Sequence, residues 1–297
     1  MRMRNSPRRP QGWVEWPTVL LATAIYGGWL ALTYWHAVIP GAVLFLAGGW
    51  ISAWHNSLQH ETIHGHPTRS PLVNTLVGWP PINLWLPYEV YFRSHVAHHS
   101  TRKTTDPFDD PESKYVASEG TVLWWSERVQ QTLLGRLVLG PVIVVARTLV
   151  EELARLPKEP VQFLRDWMPH LAGVAAIVLW LNWCGLDLFS YLLCFVYPGT
   201  SLSLLRSHAE HRSDPDPARR AATVERGGIF ALLYLNNNLH AAHHAKPDLA
   251  WYRLPRFHAE RRGKVPAGPV YASYFDLFRR FALRPHDALI HPEYRAK

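Results

Sequence analysis

Cysteine is almost missing from this chain: Cys184 and Cys194 are the only two among 297 residues, and both lie inside apolar stretches. That shortage argues against a disulfide framework and removes thiolate metal sites and cysteine-held iron–sulfur clusters. A CxxCH haem-attachment motif and a GxGxxG nucleotide loop are also absent, so electrons for any redox chemistry must come from outside. Acidic residues are the scarcer charge, 23 against 31 Lys and Arg, which leaves a net charge of +8. Nucleic acid is one partner for such an excess, but beside hydrophobic runs it points to a cytoplasmic membrane face. A repeat of fixed solenoid period is missing too. Any bound metal is therefore held by nitrogen, with oxygen as the remaining choice.

Apolar residues make up 48% of the chain, yet the mean hydropathy is only −0.11, so the long runs are diluted by polar segments. Residues 1–16 carry Arg2, Arg4, Arg8 and Arg9 with Pro7 and Pro10, and read as a basic, disordered arm. The run that follows is too long for a secretory leader and shows no small-residue cleavage pattern. Residues 18–37 are uncharged over about 20 positions, enough to cross the hydrocarbon core. Pro40 and Gly41 turn the chain into a second run, 41–58. The outer turn at 38–41 lacks Lys and Arg, which places the N-terminus and the far end of the second run in the cytoplasm.

Residues 72–87 are apolar but broken by Pro80, Pro81 and Pro87, and read as a segment lying on the membrane surface. The stretch 132–150 contains Arg136, Arg147 and Pro141, and reads as interfacial or re-entrant. Parity supports this, because a crossing there would put the late histidines on the opposite side from the early ones. Residues 167–184 and 186–205 form a second hairpin, and 227–239 is too short to cross alone. The expected architecture is an all-α membrane protein. It has four transmembrane helices in two hairpins (17–59 and 167–205), interfacial helices within 60–166, and a cytoplasmic histidine-rich cap over 206–297.

Against these absences stand 17 histidines, 8 of them in three short boxes. HETIH holds His60 and His64 at i, i+4. HVAHH holds His95, His98 and His99 at i, i+3, i+4, and HAAHH repeats that pattern with His240, His243 and His244. On a helix this spacing stacks the rings along one face, and neutral imidazole is the commonest metal ligand. HETIH alone also matches the zinc-protease pattern, with Glu61 as general base, but that reading uses one metal and leaves two boxes unexplained. Eight imidazoles suit two metals, and imidazole by itself does not choose between iron, zinc, copper and nickel.

In this order, between two hydrophobic hairpins, HETIH, HVAHH and HAAHH resemble the integral-membrane fatty acid desaturase and hydroxylase superfamily. The resemblance runs from the first hydrophobic run to the third box and covers the chain as one domain, 1–297. It implies a non-haem di-iron centre that activates oxygen and attacks an unactivated C–H bond of a lipid or acyl-thioester substrate. The implied reaction is desaturation of a fatty acyl chain, with hydroxylation as the alternative outcome. His60, His64, His95, His98, His99, His240, His243 and His244 match the motif positions.

Relatives carry one more histidine after the last span, in an Asn-x-x-x-His arrangement. Here the stretch is SHAEH, which makes His211 the ninth candidate ligand, with Ser207 in place of Asn. His66 and His208 are the remaining ligand candidates. Glu61, Glu210, Asn236 and Asp106, with Asp109 and Asp110 beside it, are expected to receive the other ring N–H of a ligating histidine. The electron donor is expected to be an external ferredoxin or rubredoxin drawn to the basic surface. The active site should face the cytoplasm, across the inner membrane if the cell is bacterial, with no role for nucleic acid.

Overall fold

The computed structural model describes residues 13–261, 264 and 268–295. The chain runs through α1 (Trp16–Tyr34), α2 (Gly41–Ile63), α3 (Pro71–Gly78), α4 (Tyr88–Ser100), α5 (Val122–Arg128), α6 (Leu133–Val138) and α7 (Gly140–Arg155). It continues through α8 (Pro160–Cys184), α9 (Leu188–Tyr191), a π-helical turn (Leu192–Val196) and α10 (Tyr197–Glu210). The last part holds β1 (Thr223–Arg226), α11 (Ile229–Leu233), α12 (His240–Ala245), α13 (Leu254–Arg261), β2 (Val270–Ser273) and α14 (Tyr274–Phe281).

Among the described residues, three helical stretches are long and apolar enough to cross a membrane: Trp16–Tyr34, Pro160–Cys184 and Leu188–Glu210. The 19 residues of α1 reach roughly 28 Å at 1.5 Å per residue, close to the thickness of hydrocarbon. Helix α2 has 23 residues, but its second half carries Ser52, His55, Asn56, Ser57, Gln59, His60 and Glu61 and is correspondingly less apolar. Leu20, Leu30, Leu171, Leu179 and Phe189 point outward, which suits lipid and not water. Trp16, Trp35 and Trp183 are exposed at helix ends, where amphipathic rings favour the headgroup level.

Helices α2 and α10 run side by side along a seam of small residues. A Cβ added at Gly199 would lie 2.3 Å from the Ser52 side chain, and one at Gly49 would lie 2.7 Å from Pro198. Close helix contact of this kind rests on van der Waals packing, which is the main attraction left when lipid replaces water. Tyr191 locks a second junction: its hydroxyl donates to the Ile82 carbonyl at 2.6 Å and accepts from Trp29 Nε1 at 2.8 Å.

Two large apolar cores result, beside a small cluster of Leu239, Ala242 and Leu254. One joins α1, α2, α8, α9 and the π-turn, with Ile25, Leu58, Leu181, Tyr191 and Phe195 at its centre. The other joins α2, α6, α10, both strands and α14, through Leu133, Val224, Leu233, Tyr271 and Leu277. The partly buried Trp54 packs against both.

Two departures from the sequence-based expectation have physical causes. The chain is mostly helical but not all-α: β1 and β2 pair in parallel, Thr223 opposite Val270 and Arg226 opposite Ser273. Each strand has four residues, too short for an alternating pattern to show. Of the arm 1–16, residues 1–12 lie outside the described residues, while 13–16 are tied down. Val14 bridges Thr68, and the Glu15 carboxylate meets His66 Nδ1 at 2.8 Å. The stretch 132–150 behaves as expected: it breaks between α6 and α7 at Leu139, and neither helix is among those able to cross.

Candidate metal centre

His60 leaves the last turn of α2, and His64 follows at its C-terminal cap. Helix α4 presents His95, His98 and His99, and the six-residue α12 presents His240, His243 and His244. His211 ends α10 in an extended conformation (φ −131°, ψ 142°), held by a bridge to Ala221. These nine side chains, drawn from four places in the chain, meet in two groups. His60, His64, His95, His99 and His243 form one; His98, His211, His240 and His244 form the other. Within each group the candidate ligand atoms lie within 4.8 Å of one another.

The division of each HxxHH box follows from helix geometry. At about 100° per residue, i and i+4 leave the helix roughly 40° apart, whereas i+3 and i+4 diverge by roughly 100°. Adjacent histidines therefore cannot serve one ion. Box two sends His95 and His99 to the first group and His98 to the second; box three sends His240 and His244 to the second and His243 to the first.

The rings meet through Nε2. His64 and His95 approach to 3.0 Å, His99 and His243 to 3.2 Å, His211 and His240 to 2.9 Å, and His98 and His244 to 3.3 Å. His60 Nε2 is buried with no hydrogen-bond partner. Burial first, and then the neighbouring imidazoles, push His240, His243 and His244 well below the ordinary histidine range and His99 down to about 2. Neutral rings with converging lone pairs repel one another unless a cation sits between them, so the donor set fits metal ions.

The family profile described as Fatty acid desaturase matches residues 34–275, from the last residue of α1 into α14. The chain belongs to the fatty acid desaturase family. A search of the curated proteins returns no match. Membership in this family makes the protein an oxidoreductase in a membrane and lipid setting, and its histidine groups could bind the metal that the family uses.

Around the desaturase-family histidines, outer partners fix the tautomers. His98 Nδ1 meets the buried Asp110 carboxylate at 2.8 Å, and His95 Nδ1 meets Glu112 at 3.0 Å. Burial works against charge on His98, but Asp110 and Glu112 hold its protonated form and lift it to about 9. His240 Nδ1 meets Asn237 Oδ1 at 3.0 Å and Glu210 at 3.4 Å, and Asn237 Nδ2 donates to the same Glu210 at 2.8 Å. Each Nδ1 contact turns the corresponding Nε2 inward.

The structure revises several expected contacts. Asn236 does not orient His240; its amide donates to the Trp251 carbonyl, and Asn237 takes the expected place. Helical i−4 spacing failed because α12 begins at His240, and the preceding turn holds Leu235 and Asn236 at positive φ. Asp106 meets none of the nine. It accepts from the Phe108 and Asp109 amides and from the Tyr294 hydroxyl, shaping the acidic turn. Asp109 pairs with Lys103 at 3.0 Å. Sequence reasoning passed over Glu112 and Asn237, although the pair Asp110 and Glu112 in the turn after box two was the available signal.

Glu61 accepts the Trp251 amide at 3.2 Å and stands 3.9 Å from His60 Nδ1, so it braces the 251 turn. That orientation, and three further imidazoles around His60 and His64, leave the zinc-protease reading of HETIH without support. His66 is buried against Glu15, and His208 packs on His286 with ring centroids 4.7 Å apart; neither joins a group. Asp106, His291 and Glu293 form a third convergence, but Arg220, Thr105 and Tyr294 already pair with them.

Proposed function

We propose that this chain is an oxygen-dependent, di-iron membrane oxidoreductase that desaturates a fatty acyl chain. The observation that carries the reading is the meeting of nine imidazole nitrogens in a group of five and a group of four. His60, His64, His95, His99 and His243 would hold one ion, and His98, His211, His240 and His244 the other. When bound, the iron pair would supply the oxygen activation needed to remove hydrogen from an unactivated C–H bond.

The protein's own part is positioning and exclusion. Asp110, Glu112 and Asn237 keep the Nδ1–H of His98, His95 and His240 pointing away from the centre, so that each Nε2 lone pair faces in. Burial of His60, His95, His98, His240 and His243 keeps bulk water from the reacting carbon. With α2 counted beside the three apolar helices, a four-span topology would put both hairpin ends, and so all nine histidines, on the cytoplasmic side of the membrane. Exposed Arg102, Lys103, Arg253 and Arg256 follow boxes two and three and suit docking of an acidic ferredoxin or rubredoxin.

Hydroxylation on the same centre is the second reading, favoured by the polar wall of the cavity next to the histidines. Metal analysis of purified protein, with mass spectrometry of lipids from cells that co-express a reductase, tests both. About two irons per chain and a new alkene are expected, while a new alcohol selects the second reading. One zinc, or an unchanged lipid profile with iron loaded, would overturn the proposal.

A further inference from the structure

The last helices of the chain reach down the side of the membrane-crossing stretches. Trp54 Nε1 donates to the Leu232 carbonyl at 3.0 Å, so α11 lies level with a residue six positions before His60, roughly 9 Å further along α2 at 1.5 Å per residue. The Tyr234 hydroxyl donates to the Leu202 carbonyl at 2.8 Å, within the apolar stretch Leu188–Glu210. Helix α14 sits beside α11, with the Phe230 and Tyr274 rings 5.1 Å apart. Its far end meets α6, where the Leu134 amide donates to the Ala282 carbonyl at 3.1 Å. Both helices therefore flank the histidine end of the apolar bundle, near the level at which hydrocarbon gives way to headgroups.

The sides they turn outward are apolar. Phe275 and Phe278 stand three apart on α14 and are exposed, Phe275 to 76%, whereas Tyr274 and Leu277 are buried in the core. Ile229 and Leu232, also three apart, are exposed on α11, and Leu283 just after α14 is 79% exposed. Clustered apolar side chains of this kind are unfavourable in water, whereas an amphipathic helix lying in a membrane interface buries them among acyl chains.

Charge decides which lipid suits this face. The segments 223–233 and 270–285 carry Arg226, Arg279, Arg280 and Arg284 against Glu225 and Asp276, an excess of two positive charges. Arg279 and Arg280 share the carboxylate of Asp276, at 3.6 and 2.9 Å, and the Arg279 side chain is 73% exposed. Arginine stems lie along apolar surface while the guanidinium reaches outward, where its planar fork matches phosphate oxygens. A zwitterionic headgroup leaves the excess charge uncompensated, and an anionic one neutralises it.

We propose that the outward face of α11 and α14 is a binding site for anionic phospholipid, with Ile229, Leu232, Phe275 and Phe278 among the acyl chains and Arg279, Arg280 and Arg284 on the phosphate groups. This rests on the membrane setting of the chain and not on the reaction proposed above, which iron content and oxygen uptake test separately.

The test titrates purified full-length protein in detergent micelles with dioleoyl phosphatidylglycerol or dioleoyl phosphatidylcholine and counts bound lipid by native mass spectrometry. Phosphatidylglycerol is expected to bind at least about tenfold more tightly. The triple variant Arg279→Gln, Arg280→Gln, Arg284→Gln should lose that preference, and the triple lysine variant at the same positions should keep most of it. Arg253→Gln with Arg256→Gln, on the other basic face, should leave it intact. In wild-type protein reconstituted into nanodiscs, hydrogen exchange over 270–284 should slow when phosphatidylglycerol joins phosphatidylcholine, which locates the site without any substitution. Equal binding of the two lipids, a preference that survives the triple glutamine change, or exchange over 270–284 that ignores phosphatidylglycerol would overturn the proposal. Loss of ferredoxin binding in the triple glutamine variant with the lipid preference intact would assign this face to an acidic protein and overturn it as well.

Discussion

The two histidine groups are built from the same motifs but differ in number, burial and support. The first offers five imidazoles, four of them buried; the second offers four, with His211 and His244 partly exposed. Carboxylate and amide support runs the other way. Among the hydrogen bonds to Nδ1, the five-histidine group has Glu112 on His95, while the four-histidine group has the buried Asp110 on His98 and the Asn237–Glu210 pair on His240. The contrast points to a division of labour. The first group would surround an ion with nitrogen, while the second offers fewer protein donors and relies on outer partners to hold its rings.

The strongest way to break this comparison uses neighbours in sequence that belong to different groups. His243→Ala removes a nitrogen from the first group and His244→Ala from the second. Each is expected to lower iron from about two toward one per chain, and to cost more activity than the roughly 10–100-fold typical of losing an outer partner. Loss of both irons from either variant, read by metal analysis, would show one cooperative site and end the distinction.

A smaller effect sharpens it. Asp110→Asn and Asn237→Ala are expected to weaken metal binding by roughly 10–100-fold at the four-histidine group. Glu112→Gln, whose carboxylate is partly exposed, should cost less, and Asn236→Ala should leave affinity unchanged. Metal titration of the four variants ranks them; an Asn236 effect equal to that of Asn237 would contradict the contacts described.

The smallest effect per step is in pH. In the metal-free protein Asp110 holds His98 protonated up to about 9, while His99 stays neutral down to about 2. Because the His98 value is raised, its proton must be expelled when the second group loads. Affinity there should fall about tenfold for each pH unit below 9, and His99, neutral down to about 2, adds no such dependence to the first group. Cobalt titrations followed by absorbance at several pH values would show two phases, the four-histidine one moving further. Two phases that shift together would remove the assigned asymmetry.

Much of this arrangement was legible before any coordinates. The boxes at 60–64, 95–99 and 240–244 were visible because imidazoles at i, i+3 and i+4 must share a helical face, and α4 and α12 are helices. The hairpin of α1 and α2 was visible as two runs split by Pro40 and Gly41. What failed did so where local periodicity stops. Asn236 was chosen by counting back one helical turn through residues that form a tight turn instead. Asp106 was chosen over Glu112 because sequence proximity does not tell which side of a turn faces the histidines. The strands β1 and β2 pair across more than forty residues, and no pattern within four residues announces that.

By itself the sequence determined the chemistry available: nitrogen ligands without thiolates, apolar helices able to cross a membrane, and ring directions along each short helix. Only the tertiary structure decided which rings meet. The approach of α2, α4 and α12 assembles the five-histidine group, the end of α10 brings His211 into the other, and the α2–α10 seam lines a cavity with His55 and Thr200. Those outcomes depend on contacts between distant segments, and a side chain's direction on its own helix says nothing about what it will face.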